Sequence, residues 1–422
     1  MNYDKYLHRN ILCIDLKSFF ASVECVERKL DPFTTPLVVC DPKRNGAITL
    51  AVTSYLKQKG IKSRGRVYEL PKDINIIKVP PRMHLYQEKS LEVIQVYLKY
   101  ISIDDLYIYS IDECFLDVTS YLKLYKLSDY NLAKKIIKDV YDTTHLTVTA
   151  GIVPNMLLAK VSMDIEAKHV PDNIAYWSYE SIPDKLWKIK PLSKMWGIGH
   201  NLEKRLNNMG LYSIYDIAHE SINKLQNKFG TIGIELWYHA NGIDETLISN
   251  LNKEEVKDKS YSESQVLFKD YYGYNIPIIL YETSLRLARR LRNNKKLTSL
   301  IGLCISYNSS IGYGFYHTMS INEKINDENK IYDYVIYLFN KYYKDNLPIR
   351  KIAITLGKLT DNNQVQLSLF ESYEELEHKK DELYVIDDVK EKFGANAILP
   401  ASSLLSYSTI KERNKKIGGH QA

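Results

Sequence analysis

The chain has 422 residues, 45% of them hydrophobic and 26% charged, a balance ordinary for a soluble globular protein of two or more domains. Its formal net charge of +6 permits nucleic-acid binding without establishing it. No apolar run approaches the roughly 18 residues of a membrane span, and the start Met1-Asn2-Tyr3-Asp4-Lys5-Tyr6 lacks a signal-peptide core. The five cysteines include no CxxC pair, which argues against zinc or disulfides and for a reducing, cytoplasmic setting.

Ile11-Leu12-Cys13-Ile14 is a short apolar run ending on Asp15, and predicts a strand over 11–15. A helix over 17–30 follows. Segment 31–80 holds strands at 36–41 and 74–79 with several Gly, Pro and basic residues, and reads as a small lobe of its own. A helix over 82–101 leads to strands at 106–111 and 114–119, joined by a tight turn that carries Asp112 and Glu113. Helices over 131–144 and 155–168 flank a strand at 146–153, giving a layered α+β structure. Adjacent carboxylates repel, so the Asp112-Glu113 pair is stable mainly where a cation sits beside it. If strand 11–15 neighbours this hairpin, Asp15 joins the pair. Such hard oxygen ligands suit Mg²⁺ shared with substrate phosphates, and two ions about 4 Å apart would clamp an in-line phosphoryl displacement. The plain alternative is a solvated hairpin tip.

Residues 181–247 change to short helices broken by glycines. Gly197-Ile198-Gly199 between two of them reads as the hairpin of a helix-hairpin-helix, whose glycines let backbone N–H groups approach a phosphate. A polar linker precedes a strand at 261–268, a helix at 278–293, strands at 299–307 and 312–321, a helix at 327–343 and a strand at 349–359. That is the βαββαβ order of a ferredoxin-like domain. Its first helix bears Arg286, Arg289, Arg290 and Arg292, followed by Lys295 and Lys296, without an acid among them. A solvated face is one reading of this run and a phosphate track the other, which the sequence favours. In the polar tail, Gln366-Leu367-Ser368-Leu369-Phe370 has apolar anchors without a core, the pattern of a segment that enters a partner's pocket.

Taken together, Asp15-Leu16-Lys17-Ser18-Phe19-Phe20 with Ser110-Ile111-Asp112-Glu113 resembles the Y-family, or translesion, DNA polymerases, and is most similar to the UmuC-like branch of Gram-positive bacteria. The resemblance implies an α+β right-hand polymerase. Its mixed-sheet palm would span 1–30 and 81–180, small fingers 31–80, and a helix-hairpin-helix thumb 181–247. A linker at 248–260 would lead to a βαββαβ little finger at 261–360 and a tail at 361–422. It implies a template-directed polymerase acting in damage tolerance by two-metal nucleotidyl transfer, with Asp112, Glu113 and Asp15 catalytic. Two Mg²⁺ ions would be held by Asp15, the Leu16 carbonyl, Asp112 and Glu113. The nucleotide would lie against Phe19, Phe20, Tyr55, Gln58 and Lys168, with Phe20 the steric gate against a ribose 2′-hydroxyl. Gln58 stands where the family usually has Arg and cannot neutralise phosphate; Lys57, Lys59, Lys62 or Arg64 would have to compensate. The Lys160-to-Lys168 spacing is one residue longer than in common relatives, so either lysine could carry the triphosphate-binding role, with Lys168 preferred. Gly197, Gly199, Arg286, Arg289 and Arg290 would hold primer–template DNA. Gln366, Leu367, Leu369 and Phe370 would bind the bacterial sliding clamp, and a further SOS protein partner is left open.

Two rival readings remain at this stage. One is a catalytically weak or inactive accessory of the same fold that binds DNA and clamp. The other is a nucleotidyl cyclase, which predicts no helix-hairpin-helix, no basic βαββαβ unit and no clamp motif.

Overall fold

The apolar run at 11–14 becomes the middle strand of a five-stranded sheet. In the computed structural model, which describes residues 1–44, 46–252, 259–344, 346–362 and 373–421, the chain divides into two compact units, Met1–Glu255 and Val256–Ala422.

The first unit runs β1 (Ile11–Leu16), α1 (Phe19–Glu27), β2 (Leu37–Val39), β3 (Ala51–Val52), α2 (Ser54–Gln58), β4 (Ile77–Val79), α3 (Met83–Tyr97), β5 (Leu106–Ile108) and β6 (Glu113–Asp117). It continues with α4 (Leu122–Tyr125), α5 (Asp129–Thr144), β7 (Val148–Val153), α6 (Met156–Ile165), β8 (Ile174–Tyr176), α7 (His200–Asn207), α8 (Ile214–His219), α9 (Ile222–Phe229), α10 (Thr231–Ala240) and α11 (Ile248–Leu251). The main sheet has the order β5-β6-β1-β7-β8, antiparallel except for the β7–β8 pair. A separate three-stranded sheet, β3-β2-β4, is built from the inserted segment and has its own small core around Val38, Val52 and Leu56.

β1 is buried on both faces because side chains alternate along a strand. Leu12, Ile14 and Leu16 join one core with Phe19 and the buried faces of α3 and α5, whereas Ile11 and Cys13 join the other with Phe115 and α6. Gly151 on β7 sits opposite Cys13. A Cβ there would lie 2.4 Å from the Ala159 carbonyl oxygen and 2.4 Å from Ser162 Oγ. Glycine therefore lets α6 lie directly on the sheet, which sets the height of every side chain α6 offers. The helix predicted over 155–168 ends at Ile165, and a 3₁₀ turn at Ala167–His169 completes the span.

The second unit contains β9 (Ser260–Tyr271), α12 (Ile276–Asn293), β10 (Lys296–Tyr307), β11 (Gly314–Ile325), α13 (Glu328–Tyr342) and β12 (Ile349–Gly357). This is the βαββαβ order, with a sheet ordered β11-β10-β12-β9. Ile301, Leu303 and Ile305 of β10 and Ile352, Ile354 and Leu356 of β12 share a core with Leu280, Leu287 and Leu291 of α12. A short β13 (Thr360–Asp361) pairs with the start of β10.

The residues read only as a polar tail form α14 (Tyr373–Phe393), α15 (Ile410–Arg413) and a small hairpin of β14 (Lys416–Ile417) and β15 (His420–Gln421). They are pinned to α12 and β9. The Glu282 carboxylate accepts from the Ser408 hydroxyl at 2.5 Å and the Thr409 N–H at 3.1 Å, and the Tyr271 hydroxyl donates to the Tyr407 carbonyl at 3.0 Å. No helix among the described residues is long and apolar enough to cross a membrane.

Candidate active site

Pairing of β1 with β6 sets Asp15 opposite Glu113, and the Asp112 carbonyl accepts the Leu16 N–H at 2.9 Å. The three acids thus meet at one end of the sheet. Asp15 and Glu113 share the strand face covered by α6, following Cys13 and Phe115 in alternation. Burial raises the Asp15 pKa to about 6; Lys168 opposes this, and the charges of Asp112 and Glu113 add to it. Asp112 is half-buried and its Oδ1 accepts from the Ser110 hydroxyl at 2.6 Å.

Two lysines of α6 and the turn after it answer these acids. Lys160 Nζ lies 2.6 Å from Glu113 Oε2 and 3.0 Å from Asp164 Oδ2. Lys168 Nζ lies 2.7 Å from Asp164 Oδ1 and 3.5 Å from Asp15 Oδ2. Burial disfavours both ammonium ions, but Glu113 and Asp164 outweigh it at Lys160, and Asp15 and Asp164 at Lys168, so both pKa values rise. The other Glu113 oxygen accepts from the Cys13 thiol at 3.3 Å, and burial pushes that thiol well up. Among the described residues no three acidic, histidine or cysteine side chains are gathered tightly enough to hold one ion, and the Glu113 carboxylate is engaged by Lys160 and Cys13. The donor chemistry nevertheless fits a divalent cation. Asp15 and Asp112 are hard oxygen donors whose mutual repulsion a cation would relieve, and Glu113 would add a third carboxylate.

The chain turns sharply out of β1. Ser18 has φ of 53° and occupies the N-cap of α1 without a side-chain cap, and its buried hydroxyl has no hydrogen-bond partner. Unpaired first-turn N–H groups beside an unused hydroxyl suit an anion. Phe19 is 3% exposed and packs in the core. Of the two adjacent rings, that of Phe19 is the inward one, so any contact it makes with a nucleotide is through its backbone. Phe20 is half-buried and stacks on Tyr86 of α3. Tyr86 in turn donates to Glu24, whose carboxylate is also held by Arg82 at 2.7 Å and by Arg28. These arginine and tyrosine hydrogen bonds overcome burial and lower the Glu24 pKa.

Tyr55 is half-buried on α2, and Gln58 is exposed. Lys57 is the α2 residue that feels the acids. Partial desolvation lowers its pKa, Asp15 and Asp112 pull it up, and Lys168 pushes it down. In the helical segment, Gly197 has φ of 91° and Gly199 is the N-cap of α7, and a Cβ on either would meet nothing within 4 Å. Trp196, next to them, donates from Nε1 to the Tyr109 hydroxyl at 3.3 Å, tying this hairpin to the turn before Glu113.

The arginine run of α12 departs from the free phosphate track expected of it. Arg286 pairs with Glu263, and Arg289 approaches Asp387 at 3.6 Å. Arg292, 4% exposed, holds Glu328 and Asp387 at 2.6 Å each. Acids distant in sequence reach this face and claim the cations. Arg290 stays exposed, its guanidinium over the Tyr261 ring, and Lys295 is exposed beside it. The segment carrying Gln366, Leu367, Leu369 and Phe370 lies outside the described residues.

The sequence matches models of the impB/mucB/samB family over residues 14–164, the IMS family HHH motif over 179–211, and the impB/mucB/samB family C-terminal domain over 258–369. It is 37% identical to the "Putative UV-damage repair protein UvrX" of Bacillus subtilis (strain 168), covering 100% of each chain. The chain belongs to the impB/mucB/samB family, the Y-family DNA polymerases. A second relative, "DNA polymerase IV 2" of the same organism, is 31% identical over 97% of this chain and 98% of its own. The solved structure of the "Y-family DNA polymerase chimera Dbh-Dpo4(243-245)-Dbh" superposes with a TM-score of 0.66 at 21% identity, covering 84% of this chain and 100% of that one. This Y-family member is a DNA-directed DNA polymerase of the translesion type, acting in DNA repair on a primer–template duplex. Its family uses divalent metal ions.

Sequence reasoning missed Asp164, Cys13, the Ser18 hydroxyl and the Tyr86–Glu24 support of Phe20. Only Asp164 carried a signal, standing four residues from a lysine on either side.

Proposed function

We propose that this polymerase adds deoxynucleotides to a primer 3′ end by two-metal nucleotidyl transfer, with Asp15, Asp112, Glu113 and the Leu16 carbonyl holding two Mg²⁺ ions. The carrying observation is the convergence of Asp15, Asp112 and Glu113 beside the uncapped start of α1. When bound, the metals would polarise the α-phosphate and favour the attacking 3′-oxygen. The chain's own groups bind and orient. First-turn N–H groups of α1 and the Ser18 hydroxyl donate to triphosphate oxygens, as a helix start does for any anion. Lys168 moves from Asp15 to the incoming phosphates and leaves that carboxylate to the metal. Lys57 supplies the positive charge that Gln58 lacks. Tyr55 adds a hydroxyl, and Phe20, held flat by Tyr86, excludes a 2′-hydroxyl by shape.

Gly197 and Gly199 let the start of α7 approach a DNA phosphate, a contact that positions the duplex without reading it. Arg290 at the end of α12 and Lys295 just after it are exposed and serve the same purpose. Gln366, Leu367, Leu369 and Phe370 bind the sliding clamp, which raises the local concentration of polymerase at the primer end. Primer extension by the wild type and by Asp112→Ala tests the reading. The accessory reading predicts no extension by either.

A further inference from the structure

We propose that Asp164 is a positioning residue that parks Lys168 beside Asp15, apart from the more buried Lys160; this rests on the nucleotidyl-transfer reading above. Five charges alternate in sign from Glu113 through Lys160, Asp164 and Lys168 to Asp15, linked at 2.6, 3.0, 2.7 and 3.5 Å. Asp164 is the one member that touches both lysines. Its two oxygens are used separately, Oδ2 for Lys160 and Oδ1 for Lys168. Without it the two ammonium ions would share no common anion.

Local structure explains how one residue reaches both. Asp164 lies four residues after Lys160 and four before Lys168, so all three share a face. The second interval crosses the end of α6 into the 3₁₀ turn. That turn is anchored independently, since Glu166 accepts from Trp177 Nε1 at 2.7 Å and pairs with Lys185 at 2.9 Å. Asp164 is therefore free to act on the lysines without being needed to hold the turn.

The two lysines are unequally held. The Lys160 side chain is 10% exposed and its shortest contact is Glu113, whereas Lys168 is 34% exposed and its contact with Asp15 is the longest of the chain. Lys160 is the fixed member and Lys168 the releasable one. Asp164 keeps Lys168 within reach of an incoming triphosphate and prevents it from settling on Glu113 or swinging into solvent.

The test uses the full-length protein bound to primer–template. Asp164→Asn keeps the shape and removes the charge. It should raise KM for the incoming deoxynucleotide about tenfold, the size of one lost charge-assisted hydrogen bond, with a smaller fall in kcat. Lys168→Ala should raise KM as well, and the double variant should be no worse than Lys168→Ala alone, because Asp164 acts through that lysine. Asp164→Glu should restore part of the loss. The same ordering should hold for the Kd of the nucleotide measured in chelator, with no turnover. The melting temperature of Asp164→Asn should stay near wild type. If Lys168→Ala weakens nucleotide binding but Asp164→Asn does not, or if the two effects add fully, Asp164 has no positioning role. If neither Lys168→Ala nor Asp112→Ala alters insertion, the nucleotidyl-transfer reading itself falls, and the role of Asp164 with it.

Discussion

The Phe20 ring lies flat on Tyr86, with centroids 4.4 Å apart and planes 16° from parallel. The Tyr86 hydroxyl donates to the buried Glu24 carboxylate at 2.7 Å. The Phe20 side chain is thus clamped through an aromatic partner to a charge cluster of Glu24, Arg28 and Arg82. Phe20→Ala should lower discrimination against ribonucleotides at least about tenfold, since shape is the whole basis of exclusion. Tyr86→Phe keeps the stacked ring and should leave discrimination intact while costing about 1 kcal/mol of stability. Ribonucleotide-to-deoxyribonucleotide incorporation ratios and chemical denaturation separate the two effects.

The Asp15 carboxyl titrates near 6, above its ordinary 3.8, because burial disfavours its charge. The folded protein therefore holds this proton more tightly than the unfolded chain. The associated stability is present in full below about pH 4 and is lost as pH rises through about 6. In metal-free protein at pH 7.5, Asp15→Asn should be more stable than wild type by roughly 3 kcal/mol, and the difference should vanish near pH 4. Adding Mg²⁺ should raise the melting temperature of wild type and not of the variant. A less stable Asp15→Asn at pH 7.5 would contradict this electrostatic picture.

Gly199 has φ of −86° and open space where a Cβ would stand. Alanine fits there without strain, so Gly199→Ala should leave the melting temperature within about 0.5 kcal/mol of wild type in free-energy terms. A methyl group at a phosphate-contacting helix start should still weaken DNA affinity severalfold. It should leave the dependence of affinity on salt unchanged, because no cation is lost. Fluorescence anisotropy with duplex DNA at several salt concentrations reads both, and unchanged affinity would mean that the hairpin is only structural.

The first strand and its acid were legible because an apolar run ending on Asp15 has few alternatives as a strand end. The βαββαβ order was legible because its periods switch cleanly between strand and helix. The partner of Glu113 was not, since Lys160 stands 47 residues away and only the tertiary fold, through Gly151 and the seat of α6, joins them. The acidic partners of the α12 arginines were hidden for the same reason. No acid lies within it, yet Glu263, Glu328 and Asp387 arrive from three other segments. The inward packing of the Phe19 ring depends on the helix phase, which the two adjacent aromatics do not reveal by themselves.

The Arg292 cluster carries its own prediction. Asp387→Ala would leave a guanidinium that is 4% exposed with only Glu328 as ion-pair partner. Removing one member of a buried ion pair costs about 3–5 kcal/mol, so the variant should unfold at markedly lower denaturant. The double variant Asp387→Leu with Arg292→Met should recover much of that loss. A mild effect of Asp387→Ala alone would place the cluster in solvent.

The central claim is that the convergent acids perform metal-dependent nucleotide insertion. Primer extension with purified full-length protein, on undamaged and abasic templates with and without Mg²⁺, tests it most directly when wild type is compared with Asp112→Ala. The account predicts Mg²⁺-dependent extension by wild type, and none by a variant that still melts cooperatively and binds duplex DNA. Mg²⁺-dependent extension by Asp112→Ala at the wild-type rate would contradict it.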